Sequence, residues 1–328
     1  MTASDLWKGR NVLVTGCTGF LGPWLVEALL ARGCRVVGLM RDATPDSRLF
    51  RDGLAAKIVL VKGNVKDLAL MERIVGEYEI RTAFHLAAQS IVGIANETPV
   101  STFESNVLGT WNLLEACRRA RRVEQVVVAS SDKAYGPATR LPYVETDALA
   151  GRTPYEVSKS AADLIGQSYW HTYRLPVTVV RCANLFGGGD LNFSRIVPGT
   201  IRSGLRGEAP VIRSDGKPLR DYLYVQDGAL AYVHLAELMA TQASLLGEAF
   251  NFSYEQPMGV LDFVKRILAL IGREGLEPVV LNQAHGEIPE QYVSSEKARR
   301  MLAWRPTVEL DDAITRTLAW YRDYFARR

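Results

Sequence analysis

The chain has 328 residues, 48% of them hydrophobic and 23% charged, a composition typical of a folded globular protein that excludes the disordered and collagen-like classes. Its 39 Lys and Arg residues against 36 Asp and Glu residues give a net charge of +3, too small for a dedicated nucleic-acid-binding protein. We therefore expect no nucleic-acid partner. The length fits one large domain or two unequal ones.

Three features of the sequence indicate the cellular compartment. The four cysteines are scattered without metal-binding spacing, so no metal site is expected and a reducing compartment suits them. The N-terminal segment MTASDLWKGR lacks the apolar core of a signal peptide, and no apolar run reaches the roughly 18 residues of a membrane span. We expect a cytoplasmic protein with no membrane partner.

The first half of the chain alternates short apolar runs with segments of helical spacing, such as Leu21–Arg32 and Leu68–Tyr78. Six of the runs are predicted as strands: Asn11–Thr15, Arg35–Leu39, Lys57–Val61, Thr82–Leu86, Gln125–Ala129 and Val177–Arg181. Most are continuously apolar, as in strands that are buried on both faces. The pattern therefore predicts an α/β fold with a doubly wound parallel sheet.

Beyond residue 184 the pattern changes to loops rich in glycine and proline. Helices are predicted near Asp227–Met239, in the segment SSEKARRML and from Asp311 onward. We predict that residues 1–183, with a returning segment near 226–250, form a cofactor-binding domain. Residues 184–328 are predicted to form most of a smaller, interleaved C-terminal substrate domain.

The first predicted strand runs directly into a glycine-rich turn, Gly16–Gly22, with the sequence GCTGFLG. Glycines at these positions permit a tight turn, a close approach of backbone amides to a pyrophosphate, and close packing of helix on strand. Because a strand precedes the turn and a helix follows it, the context that this motif requires is present. The turn predicts a dinucleotide-binding site.

Residues at the ends of the next three strands would complete that site. Asp42 could accept the ribose hydroxyls of NAD, whereas Arg41 would favour the 2′-phosphate of NADP, so the choice stays open. The amide of Asn64 could pair with the adenine edge. The small alanines of His85–Ser90 would let the cofactor lie against the backbone, while His85 itself is interpreted as a packed, hydrogen-bonded histidine.

The candidate catalytic residues come after the fifth predicted strand. Tyr155 and Lys159 are four residues apart on a predicted helix, so the ammonium can lie near the phenol and favour its ionised form. A phenolate can take a proton from a sugar hydroxyl while a hydride leaves the same carbon for a nicotinamide. Ser131 could hydrogen-bond the same hydroxyl.

Six segments together carry a resemblance: TGCTGFLG, HLAAQ, SSDKAYG, YEVSK, RCANLFGGGD and RDYLYVQD. They resemble the extended short-chain dehydrogenase/reductase family, the NAD(P)-dependent nucleotide-sugar epimerases and dehydratases, over nearly the whole chain. The resemblance implies that Tyr155 is the active-site base, with Lys159 as its partner and Ser131 assisting. It further implies a Rossmann domain for NAD, with NADP not excluded, and a nucleotide diphosphate sugar as substrate. It also implies a homodimer formed through the helices Pro99–Arg119 and Tyr155–Tyr173.

The predicted site residues form two sets. The cofactor-binding set is Gly16, Thr18, Gly19, Phe20, Leu21, Gly22, Arg41, Asp42, Asn64, Val65, Leu86, Ala87, Ala88, Gln89, Asn106, Tyr155 and Lys159. The substrate-binding set is Ser90, Ser131, Asn184, Arg195 and Arg220. The planar guanidinium groups of the two arginines match phosphate geometry, and Arg220 matches the family arginine that binds the diphosphate.

The triplet Ser131-Asp132-Lys133 indicates which reaction of this family to expect. It resembles the Thr-Asp-Glu of 4,6-dehydratases and, more closely, the Ser-Asp-Lys of CDP-glucose 4,6-dehydratases; GDP-mannose 4,6-dehydratases are also similar. The resemblance implies that Asp132 protonates the departing C6 hydroxyl. Lys133 is either the base that removes the C5 proton or an anchor for a phosphate, a carboxylate or the cofactor.

Two other functions remain as alternatives. A nucleotide-sugar 4-epimerase would use every catalytic residue except Asp132 and Lys133. A non-catalytic NAD(P) sensor or scaffold could use the same fold, although it would not need Tyr155, Lys159 and Ser131.

Overall fold

The computed structural model describes residues 6–137, 140–283 and 288–327. The strands are β1 Asn11–Thr15, β2 Arg35–Met40, β3 Val59–Lys62, β4 Thr82–His85, β5 Gln125–Ala129, β6 Val177–Cys182, β7 Asn184–Phe186, β8 Val211–Ile212, β9 Leu219–Arg220, β10 Tyr222–Tyr224, β11 Ala249–Phe252, β12 Met258–Gly259, β13 Val279–Val280 and β14 Glu290–Gln291. The α-helices are α1 Leu21–Ala31, α2 Arg48–Arg51, α3 Leu68–Glu77, α4 Val92–Glu97, α5 Pro99–Phe103, α6 Gly109–Ala120, α7 Pro154–Tyr173, α8 Ile196–Arg206, α9 Val225–Met239, α10 Val260–Ile271, α11 Glu296–Leu302 and α12 Leu310–Ala326. A π-helical turn, Glu104–Leu108, joins α5 to α6.

Seven parallel strands form the main sheet, in the order β11-β6-β5-β4-β1-β2-β3. Thr15 at the end of β1 pairs with Leu39 of β2 and His85 of β4, so the carboxyl ends of these strands meet at one edge. The strand order reverses direction between β1 and β4. An open parallel sheet binds ligands at the crevice outside such a reversal. The predicted doubly wound α/β fold is confirmed.

All six predicted strands are present, and β1 and β5 have the predicted bounds. The prediction for β3 began two residues early, because Ala55–Lys57 forms a 3-10 turn instead. A seventh strand, β11, was not predicted from the sequence; in it Phe250 pairs with Val180 of β6. Together with α9, which packs on α1, this strand brings residues 225–252 back to the sheet.

Apolar side chains cover both faces of the sheet. One cluster includes Trp7, Phe84 and Phe250, and the other includes Leu13 and Ile74; all five side chains are buried. Burial on both faces explains why the strands of this sheet are continuously apolar.

The C-terminal part of the chain has a separate apolar cluster and three small sheets. Phe186, Tyr222, Phe263 and Ile314 lie in this cluster, where the Tyr222 and Phe263 rings stack. The small sheets pair β10 with β7, β12 with β9 and β14, and β13 with β8. Among the described residues, no helix is both long enough and apolar enough to cross a bilayer.

Candidate active site

A cavity of about 1180 Å³ opens at the carboxyl edge of the main sheet, between the sheet and the C-terminal segments. Its walls include nearly every predicted site residue: Gly16, Thr18, Gly19, Phe20, Leu21, Gly22, Arg41, Asp42, Asn64, Val65, Leu86, Ala87, Ala88, Ser90, Ser131, Asp132, Lys133, Tyr155, Lys159, Asn184, Arg195 and Arg220. Two predicted cofactor-binding residues, Gln89 and Asn106, are not among the lining residues.

The glycine-rich turn fits a dinucleotide phosphate. Gly16 has φ +71°, and a Cβ there would lie 2.8 Å from the backbone of Leu86 and Ala87. A Cβ at Gly22 would lie 2.3 Å from the Gly16 carbonyl oxygen. At the start of α1 no side chain caps the helix, so its first N–H groups can receive an anion. The turn is therefore shaped for close approach of a pyrophosphate.

Arg41 and Asp42 lie at the end of the cavity next to β2 and form an ion pair with each other. The Arg41 Nε lies 2.5 Å from Asp42 Oδ2, and both side chains are about two-thirds exposed. The pair places a carboxylate and a guanidinium together where the second strand ends, so the two predicted ribose-binding groups occupy the same site.

Asn106 supports the cavity from behind its wall. Its Oδ1 accepts from the Gln89 backbone N–H at 2.7 Å, and its Nδ2 donates to the Ser158 Oγ at 2.9 Å. These two hydrogen bonds join the loop after β4 to helix α7. Asn106 and Gln89 therefore hold the cavity wall in place from behind and do not line it. His85 is buried between Thr15 and Thr110, and burial lowers its pKa to about 3, as expected for a packed neutral histidine.

Helix α7 carries Tyr155 and Lys159 into the cavity. The helix start is fixed by Glu156, whose carboxylate accepts from the backbone N–H groups of Arg152 and Thr153. The Lys159 Nζ donates to the carbonyl oxygen of Ala129 at 2.8 Å, at the end of β5. Because their spacing is i to i+4, both side chains lie on the same face of the helix.

Burial dominates the protonation of both groups. It raises the pKa of Tyr155 to about 12, opposed by a hydrogen bond with Ser131 and by the positive charge of Arg195. It lowers the pKa of Lys159 to about 8, opposed by the negative charge of Asp163. The sequence predicted a lowered pKa for the phenol, so this finding differs from the expectation: burial outweighs the positive charge of Arg195.

Asp132 is a buried carboxyl group in the cavity wall. Its Oδ1 accepts from the Ser131 Oγ at 2.9 Å, and its Oδ2 has no hydrogen-bond partner within the described ranges. Burial raises its pKa, against the opposing effects of Lys133, Ser131 and Arg220. A raised pKa favours the protonated form, which can donate a proton to a leaving group.

Lys133 is half-buried, and its Nζ donates to the Oε1 of Gln291 at 2.8 Å. Gln291, which is fully buried, also donates from Nε2 to the Asp132 carbonyl oxygen at 3.3 Å. Gln291 was not predicted from the sequence. It lies 158 residues from Lys133, so no local motif links the two.

The predicted substrate-binding residues lie on the C-terminal side of the cavity. The Arg195 Nη1 donates to Asp190 at 3.1 Å, and its Nη2 contacts the Ser90 Oγ at 3.3 Å. Asn184 donates from Nδ2 to the backbone carbonyl of Asp221. Arg220 is buried at the cavity wall and donates to backbone carbonyl groups before β14. Two guanidinium groups therefore face a cavity that also contains a buried acid and a buried phenol.

A model of the NAD dependent epimerase/dehydratase family matches residues 12–251. The chain belongs to this family. It is 26% identical to the CDP-glucose 4,6-dehydratase of Salmonella typhimurium over 98% of this chain and 93% of that protein. Its structure matches the UDP-glucose 4-epimerase of Thermotoga maritima, solved with UDP-glucose, with a TM-score of 0.87, 27% identity, and coverage of 96% and 100% of the two chains.

A third comparison is with a structure that was solved with a bound cofactor. The dTDP-glucose 4,6-dehydratase DesIV of Streptomyces venezuelae, solved with NAD, matches with a TM-score of 0.86, 25% identity, and coverage of 97% and 98%. These findings confirm the predicted family, the Rossmann-type fold and the assignment as an NAD-dependent enzyme. The glycine-rich turn, Tyr155 and Lys159 of this chain line one cavity.

Proposed function

We propose that this enzyme is a nucleotide-sugar 4,6-dehydratase, which converts an NDP-hexose to an NDP-4-keto-6-deoxyhexose with loss of one water. The observation that carries the proposal is Asp132: a buried acid in the wall of the cavity that holds Tyr155, with a raised pKa and an Oδ2 that has no partner among the described residues. A 4-epimerase needs no such acid, because it only removes and returns a hydride at C4.

The residues act on protons at three positions of the sugar. NAD, when held at the glycine-rich turn Gly16–Gly22, would supply the hydride acceptor for C4 and the hydride donor for C6. Tyr155 must act as the phenolate; in that form it takes the C4 hydroxyl proton, and Ser131 hydrogen-bonds the same oxygen. The resulting C4 ketone acidifies the C5 proton, so C5–H can break and its electron pair form a C5=C6 bond. The C6–O bond breaks as Asp132 donates its proton, and water leaves. A proton then returns to C5.

Lys133 is proposed as the base at C5. Its Nζ lies beside the cavity on the same turn as Asp132, held by a neutral amide oxygen of Gln291. A base must be neutral to accept a proton, so this role requires the amine form of Lys133. An anchoring role for Lys133 is the alternative, and full turnover in Lys133→Met would remove Lys133 from the mechanism.

The relatives support both this reaction and one alternative. The Salmonella typhimurium protein is named as a CDP-glucose 4,6-dehydratase, while the Thermotoga maritima structure is named as a UDP-glucose 4-epimerase. We therefore keep nucleotide-sugar 4-epimerase as the second candidate. The intact Tyr155, Lys159 and Ser131 argue against a non-catalytic sensor or scaffold.

The test is to incubate the enzyme with CDP-, GDP-, UDP- and dTDP-hexoses and to record the mass of each product. Dehydration lowers the mass by one water, whereas epimerisation leaves it unchanged. A product of unchanged mass with inverted C4 would overturn the proposal in favour of the epimerase. Unchanged substrate in every reaction, together with a wild-type cellular phenotype for Tyr155→Phe, would favour the sensor.

Cofactor and substrate contacts are assigned as follows. NAD is proposed to lie along Gly16–Gly22, with its ribose at Asp42 and its adenine near Asn64. The diphosphate is proposed to contact Arg195 and Arg220, whose guanidinium groups suit phosphate oxygens. Asn184 and Ser90 are proposed to bind the sugar or its phosphate.

We also propose that the enzyme is a homodimer. Exposed apolar side chains lie on two helices that pack together: Trp111 on α6 and Leu164 on α7, which is 56% exposed, while Val100 on the adjoining α5 is 70% exposed. Pairing these helices across two copies would bury that surface. Light scattering should find a dimer that Leu164→Glu converts to monomer, while Val279→Glu, at an exposed apolar position elsewhere, leaves it dimeric. A monomeric wild type would contradict the proposal.

A cytoplasmic location is proposed from the cysteines. All four are free and buried, as suits a reducing compartment.

A further inference from the structure

We infer that Gln291 is a positioning residue for the elimination half of the reaction, because it holds the amine of Lys133 and the backbone of Asp132 in one arrangement. The inference rests on the proposed dehydratase function. Gln291 is not among the described residues that line the cavity, so its effect on elimination is exerted through Lys133 and Asp132.

One buried amide contacts both residues assigned to elimination. The Gln291 Oε1 accepts from the Lys133 Nζ at 2.8 Å, and the Nε2 donates to the Asp132 carbonyl oxygen at 3.3 Å. The oxygen and the nitrogen of the amide are thus both used, which fixes the orientation of its plane. Gln291 is fully buried, so its side chain has little freedom to move away.

The backbone of Gln291 is fastened to the substrate side of the cavity. Strand β14 pairs in parallel with β9, and Gln291 lies opposite Arg220. The Arg220 Nη2 donates to the Ile288 carbonyl oxygen at 2.7 Å, and the Nη1 contacts the Pro289 carbonyl oxygen at 3.3 Å. The strand that presents Gln291 is therefore held by an arginine that itself lines the cavity.

The chemistry explains why a glutamine suits this position. A lysine side chain has four rotatable bonds and about 2 kcal/mol of rotamer entropy, so a free amine would seldom point at one proton. A base must lie within hydrogen-bond reach of the proton that it removes. A glutamine fixes the amine without adding a negative charge, whereas a glutamate would favour the ammonium form, which cannot accept a proton.

The test separates the two halves of the reaction in Gln291→Met, which keeps side-chain volume and removes both hydrogen bonds. C4 oxidation is followed in single turnovers by the near-ultraviolet absorbance of reduced nicotinamide, and elimination by loss of water from the hexose that the wild type dehydrates. We expect elimination to fall about 100-fold. Oxidation and KM should stay near wild type, so that the oxidised hexose accumulates. Gln291→Glu should show the same split.

Gln125→Met is the matched control. Gln125 is also a buried glutamine, at the amino end of β5, where its Oε1 accepts from Arg10 and Thr82. Its replacement should lower stability and leave the ratio of elimination to oxidation unchanged. A readout independent of turnover is the ¹³Cε NMR signal of Lys133, which should shift in Gln291→Met but not in Gln125→Met.

Three results would overturn the inference: equal slowing of oxidation and elimination in Gln291→Met, a wild-type elimination rate in that variant, or an unchanged Lys133 signal. The failure of the proposed function looks different. In that case the wild type itself returns a hexose of unchanged mass, and both proposals are rejected.

Discussion

The Asp163 carboxylate receives two hydrogen bonds from the guanidinium of Arg181, at 2.7 Å from Nε and 3.0 Å from Nη2, and both side chains are almost completely buried. The third nitrogen, Nη1, donates to the Tyr135 hydroxyl at 2.7 Å. Asp163 lies one turn beyond Lys159 on α7, and Tyr135 ends the turn that begins with Asp132. Arg181 therefore joins the two elements that carry the proposed catalytic groups.

Removing one member of this pair should be strongly destabilising. Arg181→Met leaves the Asp163 charge buried without its partner, so we expect a loss of about 3–5 kcal/mol in the free energy of unfolding, measured in urea. The double variant with Asp163→Leu should lose less, because no unpaired charge remains. Arg119→Met removes an exposed guanidinium that pairs with Glu72 and Glu115, and it should change stability by less than about 1 kcal/mol. Similar losses of unfolding free energy in Arg181→Met and Arg119→Met would contradict this account.

The second prediction concerns the stability and NAD affinity of a variant in the glycine-rich turn. Gly16→Ala must adopt φ near +71° and place a Cβ against the backbone of Leu86 and Ala87. We expect it to cost about 1–3 kcal/mol of stability and to weaken NAD binding by more than tenfold in calorimetry. Gly76→Ala is the control: it lies in α3, nothing lies within 4 Å of its Cβ position, and alanine should stabilise it slightly. Wild-type NAD affinity in Gly16→Ala would contradict the assigned phosphate site.

Replacing the proposed acid tests the dehydration step. Asp132→Asn keeps the shape and an acceptor for Ser131 but cannot donate a carboxylic proton. Dehydration should slow by about 10²–10⁴-fold while reduced nicotinamide still forms on mixing with substrate. Asp67→Asn is the control, since asparagine can also cap α3 through the Leu70 N–H, and it should dehydrate at the wild-type rate. Unimpaired dehydration by Asp132→Asn would remove this acid from the mechanism.

The buried carboxyl of Asp221 should make the folding stability depend on pH. Its carboxyl is buried, and burial raises its pKa to about 6, with the negative charge of Asp132 adding to the shift. Between the unfolded pKa of about 3.9 and this value the folded state binds more protons, so stability falls as pH rises, and the penalty is complete above about pH 6. Asp221→Asn removes the penalty. It should therefore be more stable than the wild type at neutral pH, and this advantage should vanish below about pH 4.

Urea unfolding at several pH values checks the Asp221 prediction. The exposed Asp215 provides the control, because Asp215→Asn should follow the wild-type curve. A stability difference between Asp221→Asn and the wild type that does not change with pH would contradict the assigned protonation.

The sequence predicted the parts of the molecule that depend on local pattern. β1 and β5 are five-residue apolar runs bounded by polar or turn residues, so their bounds could be read directly. The glycine turn and the Tyr155–Lys159 spacing are also local, and the structure places them in one cavity.

The features that escaped prediction depend on distant partners. Strand β11 is only four residues long and has Asn251 in its middle, a polar residue that is buried because its Oδ1 accepts from the Tyr135 hydroxyl. Gln291 is a similar case, since its role depends on a contact with Lys133, 158 residues away along the chain. The direction of the Tyr155 pKa shift was wrong because sequence spacing gives the nearby cation but not the depth of burial.

The late position of β11 has a consequence for biosynthesis. During translation, β6 emerges about seventy residues before the strand that covers it, so the growing chain presents an unpaired apolar sheet edge for that interval. The nascent sheet is thus open to wrong pairing until Phe252 has left the ribosome. Fragments that end near residue 183 should for the same reason aggregate when expressed alone, whereas fragments that extend past residue 252 carry their own edge cover.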